Sequence, residues 1–528
     1  MSASVRVARP EGMTIRSVVH EFAEAAKFYP ERHALHTLGR HYTYRELSAL
    51  AQGIRNGLIE SGFANQARIG LLTGDDACTY ASILAVLANG SAYVPLNNRN
   101  PADRNAQIID DAGVEVVLVS ADQEAAGGIE AALPADVEVM RTRPLDSDAR
   151  ASTSLDVADI GPEALAYLFF TSGSTGRPKG VPIRHGHLNS FMDAMLDRSR
   201  YDFANQDRFL QMFDLTFDLS VFSLFTPLCI GACCYVVPEK GIAYLSIARM
   251  LDENAITIAL MVPSTLAYLE RFFDEIELPA LRLSQFCGEA LPQRLVERWT
   301  KCVPNARIQN VYGPTEATIF CLEYDWHEKQ AREEAANGVV AIGSPLPRMR
   351  AFVIGDDRAP VAPGERGELC LHGAQVTDGY WRDPDKTAQA FVDLEGVALD
   401  GRAYRTGDIC FVNERGNFVY CGRADSQVKI DGHRVELGEI EHHAREFTGR
   451  AQVAAIAFRS DGVDHLHLFV EGFAGPDAGL SHHLEQKLPP YMQPRRIHAL
   501  ERIPLNANGK IDRKALETSL ITGRIADD

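Results

Sequence analysis

The stretch Leu168-Phe169-Phe170-Thr171-Ser172-Gly173-Ser174-Thr175-Gly176-Arg177-Pro178-Lys179-Gly180-Val181 decides how this chain is read. An apolar run of strand type passes into a loop dense in glycine and hydroxyl side chains, with one lysine near its end. Glycines let backbone N–H groups come close to anionic oxygens, hydroxyls add donors, and a lysine supplies a mobile positive charge, so the loop suits phosphate. The spacing is not the Walker pattern, because Lys179 is followed by Gly180 rather than Ser or Thr. Ser/Gly/Thr-rich loops are also ordinary turns and linkers. The preceding strand and the embedded Pro178-Lys179-Gly180 favour the phosphate reading.

Strand-length apolar runs recur on both sides of this loop. RIGLL at 68–72 precedes the helical pattern YASILAVLANG at 80–90, and VEVVLVS follows at 114–120. ITIALMV at 256–262 and RIQNVYG at 307–313 continue the rhythm, each beside a turn marked by Gly or Pro. Such alternation predicts α/β layering with parallel sheets covered by helices. After about residue 340 the texture changes to short β-like pieces set off by glycine, as in PGERGELCLHG and ERGNFVYCGR. Beyond Arg423-Ala424-Asp425 the pattern reads strand, helix (VELGEIEHHAREF), strand (QVAAIAF), strand (HLHLFVEG), helix and polar tail. The expected fold class is therefore α/β. A large N-terminal domain (1–424) of helix-covered, mostly parallel sheets would include a small β subdomain at about 340–424. A small mobile α+β C-terminal domain would span 425–528.

The 528 residues are enough for several cooperating units, and 46% hydrophobic with 23% charged residues is ordinary for globular chains. With 53 Lys+Arg against 71 Asp+Glu the formal charge is −18, which repels nucleic-acid backbones and anionic lipid. No basic cluster longer than pairs such as Arg495-Arg496 offsets it, so neither nucleic acid nor membrane is expected as a partner. Ten dispersed cysteines lack C-x-x-C spacing and read as reduced, mostly buried thiols. No export signal is read in the N-terminal residues, and a cytoplasmic location is expected. The uncharged segment Leu219 to Pro238 nearly matches the ~20 residues of a membrane span. Pro227 and Gly231 interrupt it, and it reads better as a buried helix passing into a buried strand.

The 168–181 stretch resembles the phosphate loop of the adenylate-forming ligases, which include acyl-CoA synthetases, luciferases and amino-acid adenylation domains. Six further motifs occur in that family's order: Tyr42-Thr43-Tyr44-Arg45-Glu46-Leu47, LAVLANGSAYVPL at 84–96, Asn310-Val311-Tyr312-Gly313-Pro314-Thr315-Glu316, Tyr404-Arg405-Thr406-Gly407-Asp408, Gly422-Arg423-Ala424-Asp425 and Asn508-Gly509-Lys510. Together they span nearly the whole chain. The resemblance implies ATP and Mg²⁺ as cofactors. It places nucleotide contacts at Thr171, Ser172, Gly173, Ser174, Thr175, Gly176, Lys179, Gly288, Glu289, Ala290, Asn310, Tyr312, Gly313, Thr315, Asp408, Arg423 and Lys510. The residue chemistry agrees. Tyr312 offers a flat face for a nucleobase, Glu316 a carboxylate for Mg²⁺, and Asp408 an acceptor for ribose hydroxyls. Each residue alone would pass for a core tyrosine or a surface acid.

By the same resemblance Lys510, Glu316 and Thr171 are the catalytic residues, Lys510 stabilising charge as pyrophosphate leaves. Asp425 is implied as the hinge on which the small domain pivots. The loop from Lys429 to Arg434 would then replace Lys510, with Gly432 letting a thin pantetheine arm pass. The stretch Phe217-Asp218-Leu219-Ser220-Val221-Phe222 is similar to amino-acid adenylation domains, where an Asp pairs with the substrate ammonium group. A buried carboxylate needs such a cation, although Asp218 is also placed to cap a helix starting near Leu219. Motif position puts Leu219, Phe222, Leu260, Gln285, Cys287, Val311, Ile319 and Phe320 around the substrate side chain. This mostly apolar lining, shortened by Phe222, Leu260 and Phe320, predicts a small or medium aliphatic amino acid.

Segments FDLSV and Phe286-Cys287-Gly288-Glu289-Ala290-Leu291-Pro292 resemble D-alanine–carrier-protein ligases. Alanine of either hand leads, with proline, valine and 2-aminobutyrate open. No stretch resembles a carrier domain, so a phosphopantetheinylated carrier protein acting in trans is the expected acceptor. An acyl- or aryl-CoA ligase, which shares every nucleotide motif, is one alternative. A non-catalytic adenylate-binding sensor is another, although it would be expected to have lost Lys510 or Glu316.

Overall fold

The computed structural model describes residues 15–63, 67–121, 133–134, 137–143, 154–173, 177–238, 243–336, 338–424, 427–449, 452–460, 462–473, 478–505 and 511–522. The fold is α/β, and two large sheets form its first layers. In the six-stranded sheet, Glu138–Thr142, Val116–Ser120, Arg68–Leu72, Ala92–Leu96 and Leu165–Thr171 are parallel, and Lys179–Arg184 returns antiparallel at one edge. The nine-stranded sheet is parallel through Arg307–Tyr312, Leu283–Phe286, Ile258–Met261, Arg208–Gln211, Cys233–Val236 and His33–Thr37, with antiparallel strands at both edges. Strands buried on both faces must be apolar throughout, which is why RIGLL and ITIALMV show no alternation.

Between the sheets lies the helix Ala77–Ala88, buried at every position, started by Asp76 accepting from the Thr79 N–H. A helix apolar all round has to sit in a core. The helix Tyr44–Glu60 begins with a reciprocal cap in which Thr43 and Glu46 satisfy each other's backbone. The segment that imitated a membrane span is the buried helix Leu219–Ile230, followed by the buried strand Cys233–Val236. Among the described residues no helix is long and apolar enough to cross a membrane. All ten cysteines are free thiols and none is exposed.

Beyond residue 344 a five-stranded antiparallel sheet is built from Met349–Ile354, Gly367–Gly373, Ala403–Val412, Phe391–Val392 and Phe418–Arg423. The hairpin Gln427–Ile430 with His433–Glu436 leads into the helix Leu437–Thr448. A three-stranded sheet of Val453–Ser460, Val463–Glu471 and Arg496–Leu500 follows, with its own apolar clusters. The sequence pattern is corrected here. What reads as a polar tail contains the strand Arg496–Leu500 and the helix Arg513–Ile521. The strand lies at the sheet edge, parallel to Val463–Glu471, where partial exposure tolerates its polar residues.

Candidate functional site

The site forms where the two large sheets, the β subdomain and the C-terminal elements converge. A cavity of about 380 Å³ runs between the turn Gly288–Leu291, the strand end Asn310–Gly313, Asp408 with Arg423, and the hairpin residue Lys429. Its acidic corner is fully tied: Asp408 accepts from Arg423 at 2.7 Å and from the Tyr312 hydroxyl. The Lys429 ammonium stands 6.0 Å from the Tyr312 ring centre. Gly313 is needed where it is, because a Cβ there would lie 2.4 Å from the Phe320 Cα. Ala457, Arg459 and Asp464 of the C-terminal sheet also line the cavity.

Glu316 is buried completely, and both of its oxygens face the Arg434 guanidinium at 3.0 and 2.9 Å. The Tyr380 hydroxyl donates to it at 2.8 Å, and the Lys179 ammonium lies 3.9 Å away. Burial alone pushes this carboxyl up, but Arg434 and Lys179 outweigh it and hold the group at about 2. Removing one partner from such a buried pair costs about 3–5 kcal/mol. Lys179 is brought down to about 8 by burial and then by Arg434, against the opposing pull of Glu316 and Glu436. As a hard oxygen donor Glu316 fits Mg²⁺ in kind, with phosphate oxygens completing the set. It is available to the ion only once Arg434 has withdrawn.

The phosphate loop is engaged by the C-terminal elements. The Ser172 hydroxyl donates to the Arg434 carbonyl at 2.7 Å and accepts from the Glu436 N–H at 3.2 Å. The Gly173 N–H donates to Glu439 at 3.2 Å, and Arg104 donates to the other Glu439 oxygen at 2.5 Å. Among the described residues the Thr171 hydroxyl has no hydrogen-bond partner. Ser174, Thr175, Gly176, Asp425 and Lys510 lie outside the described residues.

Asp218 is buried at the start of the helix Leu219–Ile230, yet its side chain makes no capping bond. Among the described residues its Oδ2 has no partner, and burial pushes the carboxyl up to about 7, with a Thr315 hydrogen bond pulling the other way. Leu260 and Gln285 are register partners on adjacent strands, and both are buried. Leu219, Phe222, Cys287, Val311, Ile319 and Phe320 are buried as well. Phe222 and Phe320 pack with ring centres 5.7 Å apart, backed by Phe191 at 4.9 Å from Phe320. The Gln285 amide donates to Gln309 at 3.0 Å, while its carbonyl oxygen has no partner. A second, narrower cavity joins Asp218 and Thr315 to His433 and Tyr491, whose rings stack 4.0 Å apart.

Glu289 accepts from the Ser264 N–H at 2.8 Å and the Gly432 N–H at 2.7 Å, tying the hairpin tip to the large sheet. Burial raises its carboxyl to about 7 against those two hydrogen bonds. Arg104, Tyr380 and Glu439 were missed by sequence reasoning, and Arg434 was read only as part of a loop. Their partners lie far off in the chain, and no local pattern announces them.

A profile of AMP-binding enzymes matches residues 22–381. The chain belongs to the AMP-binding enzyme family. It is 32% identical over 509 residues to tyrocidine synthase 1 of Brevibacillus parabrevis, covering 95% of this chain and 45% of that protein. Over 495 residues it is 35% identical to a probable non-canonical nonribosomal peptide synthetase of Salinispora arenicola, covering 92% of this chain and 6% of the other. The chain thus spans less than half the length of these curated relatives. Among solved structures, the Vibrio cholerae adenylation domain AlmE in complex with glycyl-adenosine-5'-phosphate superposes with a TM-score of 0.81 at 28% identity, covering 98% of this chain and 99% of that one. A nonribosomal peptide synthetase protein containing adenylation and carrier domains, bound to a vinylsulfonamide inhibitor, gives 0.82 at 27% identity, covering 95% and 84%.

Proposed function

We propose that this protein joins a small or medium aliphatic amino acid to AMP with release of pyrophosphate, then passes it as a thioester to the phosphopantetheine arm of a separate carrier protein. One observation carries the amino-acid part: Asp218 is a buried carboxylate whose Oδ2 has no partner among the described residues. A substrate ammonium group would satisfy it, and the apolar walls of Leu219, Phe222, Leu260 and Phe320 would receive a short side chain. The Salinispora arenicola relative is described as a probable nonribosomal peptide synthetase, and AlmE is in complex with a glycyl adenylate, which supports the same class.

In this reading Tyr312 presents its face to the adenine, Asp408 takes the ribose hydroxyls, and Thr171 with Lys179 holds the phosphates. Mg²⁺ on Glu316 would neutralise the phosphate oxygens. The substrate carboxylate attacks the α-phosphorus, and Lys510 stabilises the charge that builds as pyrophosphate leaves. The C-terminal domain from 425 onward then pivots at Asp425. The hairpin face carrying Lys429, Gly432 and Arg434 meets the site, and a thiol reaching the acyl carbon along the cavity beside His433 and Tyr491 displaces AMP.

Pyrophosphate release is to be measured with ATP, Mg²⁺ and single acids: glycine, both alanine enantiomers, proline, valine, 2-aminobutyrate, and the same skeletons without the amine. Release that depends on one or two of the amino acids is expected. Equal or faster release with the amine-free acids would make the protein an acyl-CoA-type ligase, and no acid-dependent release at all would leave a binding protein.

A further inference from the structure

The C-terminal elements meet the phosphate and metal groups of the site with charges of matching sign. Glu316, the carboxylate suited to Mg²⁺, holds the Arg434 guanidinium with both oxygens. Gly173, whose N–H belongs to the phosphate loop, donates to the Glu439 carboxylate. Lys179, the lysine of that loop, faces the Glu436 carboxylate at 3.9 Å. Arg434, Glu436 and Glu439 lie within six residues at the end of the hairpin and the start of the next helix. A cation therefore stands at the cation site, and two carboxylates stand at the anion sites.

We propose that the segment 434–439 is an internal substitute for magnesium pyrophosphate: Arg434 takes the place of the metal on Glu316, and Glu436 and Glu439 take the place of the departing phosphates at Lys179 and Gly173. The proposal rests on the adenylate-forming reading above and extends it to the order of events. Departure of magnesium pyrophosphate would take the metal's counter-charge from Glu316 and leave it only the Lys179 ammonium, 3.9 Å away in this structure, and an under-compensated carboxylate in such a site is costly. Docking of the segment restores that counter-charge and refills the donors on the loop. Two ligands that need the same groups exclude each other, and the exclusion is reciprocal. The docked arrangement cannot form while magnesium pyrophosphate is held, and added magnesium pyrophosphate drives it open.

The test is hydrogen–deuterium exchange of the hairpin amides 427–436 in the full-length protein, with no amino acid or carrier present. The Gly432 N–H, bonded to Glu289, reports docking directly. Mg²⁺ together with pyrophosphate is expected to speed exchange in this hairpin several-fold, with MgCl₂ alone or sodium pyrophosphate alone doing less. Equal or slower exchange with both present overturns the proposal. In parallel, binding of magnesium pyrophosphate is measured by calorimetry. Arg434→Ala and Glu439→Gln should bind it at least about threefold more tightly than the natural sequence, and Arg434→Lys should lie between. Unchanged or weaker binding in both would show that these side chains do not compete for the site. Neither readout depends on which acid is activated, so amino-acid-dependent pyrophosphate release can succeed while this proposal fails, and the reverse.

Discussion

In the proposed function substrate choice turns on Asp218, and its protonation makes that testable. Burial raises the carboxyl from an ordinary 3.8 to about 7. Below that pH the empty pocket holds a neutral acid, and binding an ammonium group must expel its proton. The apparent KM for the amino acid should therefore rise as the pH falls below 7, approaching tenfold per unit, with a smaller change in kcat. Asp218→Asn should raise KM by roughly 100-fold or more and flatten that pH profile, in line with the cost of an unpaired buried charge. The folded-state value lies above that of the unfolded chain, so the free carboxyl favours the fold at low pH and opposes it as the pH climbs through 7. A bound ammonium offsets this, and thermal stabilisation by the amino acid should grow between pH 5 and 8. The Asp218 motif was visible in the sequence because it is local. Arg434 and Glu439 were not, since their partners Glu316 and Gly173 stand 118 and 266 positions away.

At the level of elements, the hairpin Gln427–Ile430 with His433–Glu436 reaches its place only because its turn is tight. Asp431 and Gly432 both take left-handed backbone, with φ of 48° and 81°. A Cβ on Gly432 would lie 2.5 Å from a methyl of Val262, a branched side chain with little room to yield. Gly432→Val should thus oppose docking of the hairpin. Thioester formation from supplied adenylate is expected to fall at least about tenfold more than adenylate formation. Equal losses in the two steps would show that the hairpin tip has no separate part in the second. The central strands were legible because, apart from Arg68 and Thr257, RIGLL and ITIALMV are apolar, as strands covered on both faces must be. The strand Arg496–Leu500 was not, because an edge strand with one covered face carries too weak a pattern to separate it from a polar tail.

Across the whole molecule, the two proposed half-reactions would make opposite demands on one site, and the proposed pivot at Asp425 would answer them by exchanging Lys510 for the hairpin. Lys510→Ala should lower adenylate formation by ~100-fold or more, the scale of a lost charge stabiliser in a transition state. It should leave thioester formation from supplied adenylate far less affected, as read in single-turnover assays of each step. A comparable loss in both would argue against an exchange of faces. The layered architecture was legible from alternating strand and helix patterns. The relative placement of the C-terminal elements was not, because it depends on buried pairs far apart in the chain, such as Arg104 with Glu439. One feature of that placement bears on how a catalytic cycle would end. Ala457, Arg459 and Asp464 line the cavity beside Tyr312 and Asp408 together with the hairpin residues Gln427, Val428 and Lys429. In the proposed cycle a nucleotide held there would lose one wall when the hairpin and this sheet swing away, so AMP is expected to leave more readily from that opened arrangement than from this one.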